Sequence, residues 1–276
     1  MATTPMFGAR RTTSTIKVLN MAPSLVHWYI FFVGMCIGSF LNVCIYRLPQ
    51  GKSIVRPASA CPVCGTSIHW YDNIPLISYI VLRGRCRGCN TPISIRYPLV
   101  ELLCGLFAMA VGIRFGVGLP ALVYFFLIAA LLVITFIDID HRIIPDIITL
   151  PGIPLGFLAS LVLPHITWSE SLIGIAAGGG SLLAVAWGYQ LFTGKDGMGG
   201  GDIKLLAMIG AFIGWKGVLF TIMSASLVGT VIGIILMMRA GKGMKMALPF
   251  GPFLAIGAIL YLFFGPQLID WYFNIL

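Results

Sequence analysis

Eight apolar segments occupy most of this chain of 276 residues, and they limit its possible folds more than any motif does. They lie at about 25–46, 98–116, 119–137, 147–164, 171–192, 203–214, 217–238 and 249–266. About 20 apolar residues in a helix cross the hydrocarbon core of a bilayer, and most of the segments approach that length. We therefore predict an all-α polytopic membrane protein with about eight transmembrane helices. The short segment 203–214 is expected to tilt or to end early.

The charge content supports this fold class and excludes some partners. Charged residues make up 10% of the chain and hydrophobic residues 58%, whereas about 25% of the residues of a soluble domain are charged. The net charge of +9 lies mostly between the apolar segments, where cations set the orientation of a membrane protein. We therefore expect the lipid bilayer as a partner and no nucleic acid.

A polar loop at 47–97 separates the first apolar segment from the others and is rich in cations. They include Lys52, Arg56, Arg83, Arg85, Arg87 and Arg96. Because cytoplasmic loops are enriched in lysine and arginine, this loop is predicted to be cytoplasmic, and alternation of the spans places 136–151 and 194–202 on the same side. The predicted organisation is an N-terminal basic tail (1–24), a first transmembrane helix (25–46), the loop (47–97) and a transmembrane domain (98–276).

Four cysteines of the loop form two C-x-x-C pairs, "CPVCG" and "CRGCN". They are Cys61, Cys64, Cys86 and Cys89, with 21 residues between the pairs. Two such pairs place four thiolates around a tetrahedral zinc ion. We therefore predict a structural Zn²⁺ in a small zinc-ribbon-like loop, because four protein ligands leave no position for a catalytic water. Two disulfides or reactive thiols are the alternative.

Two of the nine acidic residues lie where a carboxylate is costly. Asp138 ends an otherwise apolar span in "FIDIDHRIIPD", and Asp202 follows three glycines in "GMGGGDIKLL". Both stretches are predicted at the cytoplasmic ends of spans, and an ionisable group at such a depth is a candidate for function. Asp138 and Asp140 would point about 200° apart on a helix, so Asp202 is the predicted partner of Asp138.

The aspartate pair is consistent with two functions. Two close carboxylates in a desolvated site share a proton, so that one can activate water while the other polarises a peptide carbonyl, as in aspartic proteases. Gly199, Gly200 and Gly201 would then reach Asp202 through strained dihedrals and let a substrate backbone approach closely. The alternative is a proton-coupled membrane transporter that uses Asp138 and Asp202 as a relay. The glycine run does not match the frame of a phosphate-binding P-loop.

Two other acids have structural explanations. Asp146 follows Pro145 at the start of an apolar segment, where a carboxylate is expected to cap the helix. Glu101 lies inside an apolar segment. It is expected either to take part in function or to pair with a cation such as Arg96.

Four features together resemble the type IV prepilin peptidase family of membrane aspartic proteases. They are "GSFLNVCIYRLP" (38–49), the two cysteine pairs, "RYPLVELL" (96–103), and "DIDHRIIPDIITLP" followed by "GGGDIKLL". The match covers almost the whole chain after about residue 25, and the basic tail before it looks like an addition. In that family the first aspartate of D-x-D-H and the aspartate of G-x-G-D form the catalytic pair, which carries over onto Asp138 and Asp202.

The resemblance implies two activities in the bacterial inner membrane. One is removal of the basic leader from type IV prepilins and type II secretion pseudopilins, after a glycine at the cytoplasmic membrane face. The other is N-methylation of the new N-terminal residue, usually phenylalanine, with S-adenosylmethionine as the methyl donor. Neither spacing nor composition shows the methyltransferase. Its site is expected in the loop at 47–97, near "GSFLN" and Glu101, and the residues that bind the donor stay unidentified.

Overall fold

The computed structural model describes residues 25–194, 199–240 and 249–275, and most of these residues are helical. The α-helices are Leu25–Arg47 (α1), Ile77–Val81 (α2), Arg96–Phe115 (α3), Leu119–His141 (α4), Asp146–Ser160 (α5), Trp168–Thr193 (α6), Gly200–Ala240 (α7) and Gly251–Ile275 (α8). Within the described ranges, β pairing is limited to two isolated bridges, Ala60–Ser67 and Arg85–Pro92, in the segment that connects α1 to α3. The predicted all-α class is therefore confirmed. The predicted basic tail at 1–24 lies outside the described residues.

Five stretches in these helices are long and apolar enough to cross a membrane. They run over Leu25–Gln50, Arg96–Phe115, Leu119–His141, Trp168–Thr193 and Gly200–Ile235. Two further apolar helical stretches, Asp146–Ser160 and Gly251–Gly265, are shorter. The chain is thus a multi-pass membrane protein, as predicted, but the predicted count of eight spans is not confirmed.

The predicted segments 203–214 and 217–238 are two limbs of one element, α7, which is kinked at Gly214. This glycine has φ 71° and ψ 178°, far from helical values. A residue without a Cβ atom adopts such a conformation at little steric cost. At about 1.5 Å per residue, the limb before Gly214 is too short to cross about 30 Å of hydrocarbon, which agrees with the expectation that 203–214 ends early.

Glycines let two pairs of helices approach closely. Gly34 and Gly38 lie one turn apart on α1 and face α3, where a Cβ atom at Gly38 would lie 2.9 Å from the Cβ of Cys104. Gly174 of α6 and Gly210 of α7 pack backbone to backbone in the same way. Small residues at such spacing allow the close packing that holds membrane helices together.

The core of the bundle extends along α4 and includes residues of α7 and α8. Ile137 of α4, Leu205 and Ile209 of α7, and Leu254 of α8 are all fully buried. These side chains belong to one hydrophobic cluster that includes the end of α4 and the starts of α7 and α8. Each of the three ends carries a residue of the candidate site.

Candidate functional site

Asp138 lies in the last turn of α4 and is held by the first residue of α8. Only 5% of its surface is exposed, and its Oδ2 atom accepts a hydrogen bond from the backbone N–H of Gly251 at 3.0 Å. The first N–H groups of a helix have no partner within that helix, so the start of α8 supplies a donor that Asp138 satisfies. This hydrogen bond fixes the orientation of one carboxylate oxygen.

Asp202 lies in the first turn of α7 and belongs to the same cluster. Its Oδ1 atom is buried and has no hydrogen-bond partner among the described residues, and its carboxyl group interacts electrostatically with that of Asp138. Ile144 packs against Gly201, next to Asp202, and against Gly251, next to Asp138. The two aspartates therefore lie together at one end of the bundle, in different surroundings.

The three glycines before Asp202 differ in what surrounds them. None of them has φ in the left-handed region, so the expectation of strained dihedrals is wrong: α7 already begins at Gly200, and the Gly199 carbonyl accepts the Asp202 N–H at 3.2 Å. A Cβ atom at Gly201 would lie 2.8 Å from Ile144 Cβ, whereas Gly200 faces open space. Packing thus accounts for one glycine, and their role in substrate approach stays a prediction.

Asp146 forms an ion pair instead of the predicted helix cap. Its two carboxylate oxygens accept hydrogen bonds from Lys204 Nζ at 2.7 and 2.8 Å, and no side chain caps the start of α5. Lys204 lies two residues after Asp202, so the pair joins the starts of α5 and α7. Because both side chains are more than one third exposed, the pair contributes little to stability.

Arg96 pairs with Asp140, and the expected pair with Glu101 is wrong. Glu101 lies five positions after Arg96, which places the two residues on different faces of α3. The Arg96–Asp140 pair joins the first turn of α3 to the last turn of α4. Glu101 is buried, and its carboxylate accepts a hydrogen bond from the backbone N–H of Leu76 at 3.0 Å. The loop at 47–97 is thereby attached to α3.

The four predicted zinc ligands come together in one cluster. The Sγ atoms of Cys61, Cys64, Cys86 and Cys89 all lie within 4.8 Å of one another. The two C-x-x-C pairs form equivalent turns: Cys61 N–H donates to the Thr66 carbonyl, and Cys86 N–H donates to the Thr91 carbonyl, both at 2.9 Å. Two matching turns thus present four thiols to one point, as the spacing predicts.

The cluster fits one zinc ion better than two disulfides. The Sγ distances are 3.8 Å for Cys61–Cys89 and 3.9 Å for Cys64–Cys86. Four sulfurs at about 2.3 Å from a tetrahedral zinc lie about 3.8 Å apart, whereas a disulfide bond is about 2.05 Å long. The Thr66 hydroxyl lies 3.2 Å from Cys64 Sγ, and this hydrogen bond lowers the pKa of that thiol to about 6. A low pKa favours the thiolate that binds metal.

Sequence reasoning missed two features of this region. One is Gly251, whose N–H meets Asp138 although 113 positions separate them. The other is a cavity of about 540 Å³ that lies between the loop at 47–97 and the start of α3 and is lined in part by Glu101. A Gly-Pro step at 251–252 is a signal for a helix start, but nothing in the sequence shows which carboxylate that helix meets.

The fold and the site define a class: a multi-pass helical membrane protein with two neighbouring aspartates at one end and a four-cysteine loop. Two family models match the chain. The bacterial peptidase A24 N-terminal domain matches residues 32–115, and the type IV leader peptidase family matches residues 125–234. The chain belongs to the type IV leader peptidase family, which confirms the resemblance of its motifs.

Three similar proteins carry the name prepilin leader peptidase/N-methyltransferase. The one from Aeromonas hydrophila is 39% identical over 93% of this chain and 97% of its own length. Those from Pseudomonas putida and Xanthomonas campestris pv. campestris are 37% and 40% identical, over 91% and 87% of this chain and 94% and 92% of their own lengths. No solved structure matches the chain. The predicted enzyme class, a leader peptidase, is confirmed, and the transporter alternative finds no support.

Proposed function

We propose that this protein removes the basic leader from type IV prepilins and type II secretion pseudopilins, with Asp138 and Asp202 as the catalytic pair. One observation carries the proposal: buried Asp138 accepts the Gly251 N–H, while nearby Asp202 keeps a buried oxygen without a partner in the described residues. Two carboxyl groups in different surroundings are the arrangement by which aspartic proteases separate acid from base. The names of the relatives supply the substrate class.

The chemistry follows from the two carboxyl groups. An ionised carboxylate takes a proton from the attacking water, and the protonated carboxyl group of its partner donates a hydrogen bond to the scissile carbonyl. The Gly251 N–H keeps Asp138 in place during the transfer. The Asp202 oxygen that has no partner among the described residues keeps its hydrogen-bonding capacity for the water or the peptide. As the C–N bond breaks, the leaving amine takes a proton from the pair.

The position of the pair suits a substrate that lies partly in the membrane. A prepilin whose basic leader stays in the cytoplasm and whose apolar helix lies in the bilayer presents its cleavage site, after a glycine, at the membrane boundary. The basic loop at 47–97 supports a cytoplasmic orientation in the inner membrane. Gly199, Gly200 and Gly201 form the approach path of the substrate backbone in this proposal.

The loop at 47–97 has a separate role in the proposal. With S-adenosylmethionine as donor, it methylates the new N-terminus, an activity that the relatives' names include. A structural Zn²⁺ on Cys61, Cys64, Cys86 and Cys89 folds the loop, which buries few side chains of its own. Metal binding supplies folding free energy to such small units. The residues 98–276 form the peptidase domain.

Leader cleavage by the purified full-length protein tests the catalytic pair. Asp138→Asn and Asp202→Asn keep the size of each side chain and remove its ionisable group, and each is expected to lower the cleavage rate of a prepilin at least about 10³-fold. Asp146→Asn is the matched control, because Asp146 is paired with Lys204 at the surface, and it is expected to cleave within about twofold of the unchanged protein. If both site variants cleave at the unchanged rate, the proposed pair is wrong. Proton-driven flux in liposomes without cleavage would support the transporter instead.

A further inference from the structure

A cavity of about 540 Å³ lies between the loop at 47–97 and the start of α3. Its walls include Tyr79, Leu82, Ile93, Tyr97 and Glu101. Pockets for small molecules measure about 300–1,000 Å³ and combine mainly apolar and aromatic walls with a few polar groups. The cavity therefore has the size and the composition of a small-molecule site, and the aspartate pair does not line it.

Glu101 is the polar group that distinguishes this cavity. It is buried, and its carboxylate accepts the Leu76 N–H at 3.0 Å. Among the described residues, no cationic side chain forms an ion pair with it. By contrast, Asp72, the other acid of the wall, is fully engaged by the guanidinium of Arg87. Within the described ranges, Glu101 is thus an acid held in place by a backbone N–H but without a cationic partner.

The backbone conformation of Leu76, which donates this hydrogen bond, is energetically unfavourable. Leu76 has φ 59°, a left-handed value that is uncommon for a residue with a branched side chain. Strain of this kind persists where the surrounding structure enforces it, and it concentrates at functional sites. Here the strained residue directs its N–H at the carboxylate of Glu101.

We propose that this cavity binds S-adenosylmethionine and that Glu101 is the base for methylation of the substrate's new N-terminus, an inference that rests on the proposed methyltransferase function. The donor carries a sulfonium and an ammonium group, which suit the carboxylate of Glu101, and a flat adenine ring, which suits walls of tyrosine and aliphatic side chains. The lone pair of the substrate nitrogen attacks the methyl carbon and forms the N–C bond. The C–S bond breaks with its electron pair going to sulfur, which leaves S-adenosylhomocysteine, and a proton of the nitrogen passes to the Glu101 carboxylate.

The two sites lie near the same end of the molecule. Arg96 at the start of α3 pairs with Asp140 at the end of α4. Asp140 lies two positions after Asp138, and Glu101 lies about 1.4 turns of helix after Arg96. A cleaved substrate therefore reaches the cavity without crossing the bilayer. This geometry suits a reaction order in which cleavage exposes the amine that is then methylated.

Binding and turnover by the full-length protein test the two parts of the proposal separately. Leu82→Trp fills the cavity and is expected to weaken S-adenosylmethionine binding at least tenfold in titration calorimetry. Val81→Trp is its matched control, because Val81 is 68% exposed and does not line the cavity, and donor binding should be unchanged. Glu101→Gln keeps the acceptor for the Leu76 N–H but removes the charge that faces the donor. Donor affinity should therefore fall, and kcat for methylation at saturating donor should fall about 10²-fold or more. Leader cleavage and zinc content should be unchanged in all three variants.

The outcomes separate the inference from the function on which it rests. If the unchanged protein cleaves a prepilin but neither binds the donor nor methylates the product, the proposed methyltransferase function is wrong. If it methylates and Leu82→Trp binds the donor as tightly as Val81→Trp does, the cavity is not the donor site. If Glu101→Gln methylates at the unchanged rate, Glu101 is not the base. If Leu82→Trp also loses cleavage or zinc, the location of the donor site is tested in the unchanged protein instead. Added donor should protect Tyr79 and Tyr97 from chemical modification, and absence of this protection would overturn the proposed donor site.

Discussion

The backbone N–H of Gly251 donates a hydrogen bond to the carboxylate of Asp138 at 3.0 Å and so joins the start of α8 to the end of α4. A helix N-terminus has free N–H groups, and here one of them meets a buried acid. The absence of a side chain at Gly251 is what permits this approach, because a Cβ atom there would lie 2.7 Å from Asp138 Oδ2. The contact makes position 251 a sensitive reporter of the proposed catalytic pair.

Gly251→Ala is expected to lower kcat/KM for prepilin cleavage about 10- to 100-fold. The added methyl group pushes the carboxylate of Asp138 out of position, and misplacement of a catalytic group by about 1 Å costs up to about 10²-fold in rate. Because the displaced atom is the end of a side chain, the free energy of unfolding should change little. Kinetics on a purified prepilin substrate, with a thermal unfolding curve of the same sample, measures both effects.

Gly180→Ala is the matched control for this substitution. Gly180 lies in α6, and no atom would come within 4 Å of a Cβ there, so cleavage should stay within about twofold of the unchanged protein. Equal cleavage rates for the two alanine variants would contradict the role assigned to the Asp138–Gly251 contact.

Zinc analysis should find one metal ion per chain, since four thiols converge on one point. Cys64→Ser and Cys86→Ser each remove one ligand and are expected to release the metal. Without it, the loop at 47–97 should become open to trypsin at its arginines, because the loop has little core of its own. Plasma emission spectrometry and limited proteolysis measure the two effects.

Cys36→Ser is the control for the zinc experiment. Cys36 lies on α1, is exposed, and is outside the cluster, so this variant should keep its metal and its resistance to trypsin. Retention of one zinc per chain by both Cys64→Ser and Cys86→Ser would contradict a site made of four thiolates.

The helices, and the position of the two aspartates at helix ends, could be predicted because their signals are local. Each apolar segment shows its helix directly, and Asp138 and Asp202 stand out because a charge at the end of an apolar run is costly. The cysteine pairs are equally local, since each C-x-x-C forms its own turn. Such features depend only on residues that are close together in the sequence.

The partners of these residues could not be predicted, because they come from distant parts of the chain. Asp146 lies where a helix cap is expected, yet Lys204, 58 positions away, takes its carboxylate. Arg96 pairs with Asp140 and not with Glu101, because Arg96 and Glu101 lie on different faces of α3 although they are close in sequence. The kink at Gly214 likewise lies against Glu170 of α6, which is 44 positions away.

Lys204→Met is expected to change little, although Lys204 lies two residues from Asp202. Its ion pair with Asp146 is half-exposed, and exposed pairs contribute about 0.2–1 kcal/mol to the free energy of unfolding. Cleavage should remain within about threefold of the unchanged protein. A double-mutant cycle with Asp146→Asn measures the coupling energy, and a loss of cleavage as large as that of Asp202→Asn would show that Lys204 belongs to the catalytic site.

Gly38→Ala is expected to destabilise the protein and to lower methylation more than cleavage. A Cβ atom at Gly38 would lie 2.8 Å from the Cα of Glu101, and a backbone atom cannot move aside without shifting α3. Overpacking of this kind costs about 1–3 kcal/mol. Because the shift displaces the proposed base of the methyltransferase, the ratio of methylation to cleavage should fall as well.

Gly188→Ala separates this contact from the effect of alanine on a helix. Both glycines lie inside long helices, so both variants gain the same helix propensity, but Gly188 has open space around it. Its stability and its ratio of methylation to cleavage should match or slightly exceed those of the unchanged protein. Unfolding in detergent and paired activity assays compare the two variants, and equal stability with equal ratios would show that α1 and α3 are not packed as closely as Gly38 and Glu101 indicate.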